Sequence, residues 1–121
     1  MEELTKAEER IMQIIWKLRK AFVKDIIEEM EETPKPPYNT ISSIVRILEK
    51  KGYLGYKAYG KTYEYFPAIS KEEYAGTTFS KLFSGYFDNS AANLLSFMVK
   101  QQNLTESDIA ELKALIDKNT K

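Results

Sequence analysis

Histidine and cysteine are both absent from the 121 residues. Without His the chain lacks the usual general base and the commonest transition-metal ligand. Without Cys it has no disulfide framework and no thiolate nucleophile. Ser-His and Cys-His catalysis cannot be built, and a zinc site has no ordinary ligands. Acidic residues number 18, so carboxylate chemistry is not excluded by composition. Most of them, however, sit in runs such as Glu28-Glu29 and Glu31-Glu32, which read as solvated helix faces. No Gly-rich phosphate loop or recognisable catalytic motif is present. The expectation is a protein that is not an enzyme and needs no cofactor or metal.

Long hydrophobic runs are missing as well, and no stretch is apolar for long enough to span a bilayer. The opening MEELTKAEER is acidic and helical in pattern, unlike a secretory signal, so no membrane insertion is expected and the cytoplasm is the expected address. A hydrophobic fraction of 43% suits a folded domain rather than a disordered chain. The length suits one compact domain, or one small domain plus an oligomerisation element.

An excess of either charge is also lacking, since 18 basic residues balance 18 acidic ones. The distribution is uneven. Between Thr33 and Tyr63 six cations (Lys35, Arg46, Lys50, Lys51, Lys57, Lys61) face one acid, Glu49, a net of +5. The acids Glu2, Glu3, Glu8, Glu9, Asp25, Glu28, Glu29, Glu31 and Glu32 precede that window. A local basic stretch in a neutral chain points to a local anionic partner.

Three prolines in residues 34–37 break the chain after two amphipathic patterns. The first begins at Thr5, with Glu8 at capping-box spacing, and carries Ile11, Ile14, Ile15 and Leu18 toward about Lys20. Ala21-Phe22-Val23 can hold a stub of strand. Val23, Ile26, Ile27 and Met30 mark a second, shorter helix. A third follows the prolines, with Ile41, Ile44, Val45 and Leu48 in one stripe and Gly52 at its end. Leu54 to Tyr59 and Thr62 to Phe66 read as two strands around a Gly60-Lys61 turn. Three further helical patterns fill Ser70 to the end, the last starting at Thr105 with Asp108 three residues on.

The fold class expected is mainly α with a small β-hairpin wing. An N-terminal winged helix-turn-helix over 1–69 would precede a helical dimerisation domain over 70–121. The second part is too short and too rich in Phe and Leu to close a core alone. Its candidate interface residues are Phe79, Leu82, Phe83, Leu94, Leu95, Phe97, Met98, Ile109, Leu112 and Leu115. The plain alternative is that they form an intramolecular core.

Around the third helix the face opposite the apolar stripe carries Asn39, Ser43, Arg46 and Lys50, flanked by Thr40 and Ser42. Short polar side chains allow close approach to base edges, and Arg46 or Lys50 can reach a guanine or a phosphate. Lys57, Tyr59 and Lys61 on the wing, with Lys35 before the helix, are candidate phosphate contacts. A solvated helix face and a charge-protected sheet edge are the plain readings of the same residues. Tyr63, Tyr65 and Phe66 read as sheet packing.

Three stretches together resemble the penicillinase-repressor (BlaI/MecI/CopY) family of bacterial transcription regulators. LTKAEERIMQIIW is similar to the family's opening L-x-x-A-E-x-x-I/V-M-x-x-I/L-W. YNTISSIVRILEKKGYL is similar to its recognition helix T-V-x-T-x-L-x-R-L-x-x-K-G, through Thr40, Ile41, Arg46, Leu48, Lys51 and Gly52. GKTYEYFPAISKEEY is similar to its wing and exit G-R-x-Y-x-Y-x-P. The resemblance covers nearly the whole chain. It implies a cytoplasmic homodimer that binds a palindromic double-stranded DNA operator of TACA/TGTA type and represses transcription. In one branch of the family, a membrane sensor protease triggers cleavage of an Asn-Phe bond in the dimerisation domain. Here the matching place in LLSFMVK is Ser96-Phe97, with the Phe present and the Asn not. In the copper-responsive branch the chain ends in a Cys-rich motif, and this sequence has no Cys. The alternative function is a winged-helix module for protein contacts without DNA binding.

Overall fold

The computed structural model describes residues 3–101 and 104–119. Within them the order is three helices, a hairpin and three helices: α1 (Lys6–Leu18), α2 (Val23–Glu29), α3 (Tyr38–Lys50), β1 (Leu54–Tyr59), β2 (Thr62–Pro67), α4 (Lys71–Phe87), α5 (Ala91–Lys100) and α6 (Glu106–Asn119). The chain divides into two compact units, Met1–Ala75 and Gly76–Lys121. This is a mainly helical fold with a winged helix-turn-helix at its N-terminal end.

The first unit assembles from local signals that agree with one another. Thr5 Oγ1 accepts from the Glu8 N–H at 3.1 Å, and the Thr5 N–H donates to Glu8 Oε1 at 2.9 Å. This reciprocal pair satisfies two free donors of the first turn of α1. The helix stops two residues earlier than its sequence pattern suggests. Arg19 takes φ 73 there, with its N–H on the Ile15 carbonyl at 2.7 Å. The left-handed turn redirects the chain so that Ala21 bridges Tyr65 through two backbone bonds of 2.9 and 2.8 Å. The strand stub expected at 21–23 is therefore a single bridge that extends the hairpin sheet.

β1 and β2 pair antiparallel from Leu54↔Pro67 to Tyr59↔Thr62. Gly60 has φ 62, whereas Lys61 keeps the ordinary negative φ. That sign pattern belongs to a two-residue type II′ turn, which takes glycine first and matches the strand twist. Gly55 is required for another reason. The Phe66 ring lies over it, and an added Cβ would sit 2.6 Å from that ring. Phe66 is 43% exposed and covers the glycine backbone of the paired strand, in keeping with its reading as sheet packing.

The core lies where α1, α2, α3 and the hairpin converge. Met12, Ile15, Ile26, Val45 and Leu48 have no exposure, and Ile11, Ala21 and Tyr53 have 1%. Full burial of such an aliphatic side chain contributes roughly 1.5–3 kcal/mol. Trp16 is only partly buried and has a polar task besides packing. Its indole N–H donates to the Ile69 carbonyl at 2.9 Å, and its ring lies 5.7 Å from that of Tyr74. These contacts tie α1 to the exit from the wing.

The second unit contrasts in burial. None of its described residues is buried. Its helix starts are nonetheless well formed. Ser90 Oγ accepts from the Asn93 N–H at 3.1 Å, and Thr105 and Asp108 form a reciprocal pair at 3.0 Å each. Phe79 and Phe83 stack at 5.3 Å, and Phe87 meets Phe97 edge-on at 5.4 Å.

Candidate nucleic-acid interface

The inner stripe of α3 fixes which residues face outward. Ile41, Val45 and Leu48 are buried and Ile44 is half-buried, in line with the helical period. Asn39, Thr40, Ser43, Arg46 and Lys50 are consequently exposed on the opposite side. Ser43 Oγ donates to the Asn39 carbonyl at 2.9 Å. Its donor is thus in use, and it presents lone pairs outward as an acceptor. Ser42 is half-buried and turns toward the wing.

A cleft of about 360 Å³ opens between the start of α2, the outer side of α3 and the wing. Ser42, Arg46 and Lys61 line it, together with Lys24, Tyr38 and Tyr63. Three cations and no acid are among its lining residues. Lys24 was not foreseen, because in the sequence it sits in VKDIIEE and counts with the acidic segment. The signal that could have found it is the helix-turn-helix pattern itself, which sets the start of α2 beside α3. Tyr65 forms the floor of the cleft and is 4% exposed. Burial pushes its phenol above the ordinary value, and the Arg46 charge pulls it only partly back.

Lys57 and Tyr59 occupy the reverse face of the hairpin. Strand alternation places Tyr56, Tyr63 and Tyr65 on one face, and Lys57, Tyr59 and Glu64 on the other. Lys57 Nζ lies 5.3 Å from the centre of the Tyr59 ring, and that ring lies 5.8 Å from Phe22. These two exposed side chains are therefore at the tip and back of the wing and do not line the cleft themselves, although Tyr59 packs against Phe22, which does.

Two cations of the basic window are engaged elsewhere. Lys35 donates to the Met30 carbonyl and, at 3.1 Å, to the Glu28 carbonyl, so it closes the C-terminal end of α2. Lys51 donates to both oxygens of Glu8, at 2.8 and 3.1 Å. Glu8 is 5% exposed, and this pair links α1 to the end of α3. Burial alone would raise the Glu8 carboxyl. The Lys51 and Thr5 hydrogen bonds outweigh it and hold the carboxyl below its ordinary value of 4.5. The outward basic set is thus Lys24, Arg46, Lys50, Lys57 and Lys61.

The register against the family's recognition-helix pattern also needs correcting. Counted from Thr40, the pattern's arginine falls on Ile47, and Arg46 lies one residue earlier. One residue is about 100° of helix rotation. Arg46 is thereby aimed at the wing cleft, while Ile47, 45% exposed, holds the neighbouring outward position.

In the second unit Phe79, Leu82, Leu95 and Leu115 are exposed, at 45%, 44%, 38% and 55%. Phe83, Leu94, Met98, Ile109 and Leu112 are half-buried. Ser96 and Phe97 lie within α5, both exposed. Among the described residues, no helix is long and apolar enough to cross a membrane.

Comparison with known proteins agrees with this architecture. A family profile described as "Penicillinase repressor" matches residues 4–118. The methicillin resistance regulatory protein MecI of Staphylococcus aureus (strain N315) is 25% identical over 116 residues, spanning 96% of this chain and 94% of that protein. The penicillinase repressor of Bacillus licheniformis is 21% identical over 117 residues, spanning 97% and 91%. The solution structure of the DNA-binding domain of the repressor BlaI aligns with a TM-score of 0.51 and 28% identity. That alignment covers 61% of this chain and 94% of the domain. With the match running over nearly the whole chain, the chain belongs to the penicillinase-repressor family.

Proposed function

We propose that this chain is a DNA-binding transcriptional repressor that acts as a homodimer on a palindromic operator, with 1–69 as reader and 70–121 as dimerisation domain. The observation that carries the reading is the joint surface of α3 and the wing. There Asn39, Thr40, Ser43, Arg46 and Lys50 are exposed along one helix, beside a cleft lined by Lys24, Arg46 and Lys61. A helix of this kind enters the major groove, where short polar side chains and Arg46 meet base edges. Lys57, Tyr59 and Lys61 would reach flanking phosphates from the wing. Membership of a family of repressors supports the same reading.

The dimer rests on the second unit. Phe79, Leu82, Leu95 and Leu115 leave a large apolar surface exposed, and a second copy is the partner that covers it symmetrically. Two copies would set the recognition helices about one DNA turn apart and read a TACA/TGTA-type inverted repeat. Release by a sensor protease at Ser96-Phe97 is the finest part of the reading. Both residues are inside α5, and proteases cleave extended chain, so cleavage would need that helix to open first.

A winged helix for protein contacts alone is the competing reading, and salt separates the two. Phosphate contacts make log affinity fall linearly with log salt. The test is a titration of the full chain onto duplex DNA over several salt concentrations. Salt-sensitive binding with two chains per palindrome is the expected result. Absence of DNA affinity at every salt concentration would favour the protein-contact module.

A further inference from the structure

Ile47 has no counterpart in the chemistry described so far. Among the described residues of the first unit, the other exposed large hydrophobics are aromatic: Tyr38, Tyr56, Tyr59, Tyr63 and Phe66. Ile47 is the exposed large aliphatic residue, at 45%. A single exposed isoleucine on an ordinary surface needs no explanation. This one stands on the outward face of α3, four residues after Ser43, seven after Thr40 and three before Lys50, so all four side chains share one side of the helix.

We propose that Ile47 is a specificity-determining residue that packs against the 5-methyl group of a thymine in the operator. The inference rests on the reading of α3 as the recognition helix. The major-groove edge of a base pair offers hydrogen-bond donors and acceptors, and one apolar group, the thymine methyl. An isoleucine can neither donate nor accept. Opposite the N7 and O6 acceptors of guanine it would leave buried acceptors unpaired, a costly outcome. Opposite a thymine it removes two apolar groups from water. Arg46, whose guanidinium suits guanine, faces the wing cleft about 100° around the helix. The operator half-site of this protein therefore carries a T·A pair opposite Ile47.

The test starts from duplexes selected by the full chain from a random pool. Each thymine of the selected half-site is then replaced by deoxyuridine, which lacks only the methyl. Wild-type affinity is expected to fall about fourfold at one thymine per half-site, the scale of one buried methyl. In Ile47→Ala the same replacement is expected to cost nothing further, while replacements elsewhere cost what they cost the wild type. Ile47→Val, which keeps a branched apolar side chain, should retain most of the methyl effect. Because Ile47 is half exposed, the variants should keep the wild-type thermal midpoint, which is measured alongside. Losses that remain additive between Ile47→Ala and every deoxyuridine would overturn the proposal and leave the DNA-reader assignment standing. Failure to enrich any duplex would overturn that assignment, and the proposal with it.

Discussion

The two units of this chain treat their apolar residues in opposite ways. In the first, Ile11, Met12, Ile15, Ile26, Val45 and Leu48 are sealed from water, and apart from Ile47 the large hydrophobics left exposed are aromatic side chains. In the second, Phe79, Leu82, Leu95, Leu115 and Ile116 are all more than a third exposed, and no described residue is buried. α5 and α6 have well-capped starts, but the described residues enclose no core. Capping fixes where a helix begins, at about 1 kcal/mol each, whereas burial decides whether a unit stands alone. The first unit has both, and the second has caps without burial. A unit of the first kind can present a fixed surface to a ligand. A unit of the second kind gains most of its stability when another surface covers it.

Breaking the second unit should give the largest effect. Leu95→Glu combined with Leu115→Glu places charge on the exposed apolar surface. Sedimentation should then report monomers, and affinity for a palindrome should drop about 100-fold through loss of the linked second site. A dimer of unchanged affinity would place the partner surface elsewhere. The complementary damage is to the first unit. Glu8→Gln removes the charge that faces Lys51 and is expected to cost about 2 kcal/mol of stability near neutral pH, measured by denaturant unfolding. Because the folded Glu8 carboxyl lies below its ordinary value of 4.5, its contribution is present above that pH and fades as pH falls through the folded value. The acid limb of the wild-type stability profile should therefore flatten in Glu8→Gln.

Smaller effects separate side chains within the reading surface. Arg46→Ala should weaken operator binding by about 10-fold or more, the scale of one lost charged base or phosphate contact. A well-folded variant with wild-type affinity would count against α3 as the reader. Lys61→Ala and Lys35→Ala form the finest comparison. Lys61 lines the cleft, and its loss should reduce the salt slope by about one. Lys35 is spent on the Met30 and Glu28 carbonyls, so its loss should leave that slope unchanged and lower stability slightly instead.

Much of the fold was legible because local signals are strong where they occur. The Thr5-Glu8 and Thr105-Asp108 pairs, the stripe Ile41-Ile44-Val45-Leu48 and the Gly60 turn each name an element and one of its ends. What stayed hidden depends on contacts between residues far apart in the chain. The partner of Lys51 lies 43 residues away, so a count of charge along the sequence assigned it to the wrong surface. Lys35 counts as a candidate phosphate contact by its proximity to α3, and Lys24 goes unnamed among its acidic neighbours, for the same reason. The position of the family pattern's arginine was open to counting alone, and its consequence became visible with the exposure of Ile47.

The central claim is that α3 and the wing read a DNA sequence, and discrimination between duplexes tests it most directly. The full chain is titrated by fluorescence anisotropy against a TACA/TGTA palindrome and against a scrambled duplex of the same composition, at one salt concentration. The account predicts a preference for the palindrome of at least ~100-fold. Equal, weak binding to both duplexes would contradict it, leaving a basic surface that attracts DNA without reading it.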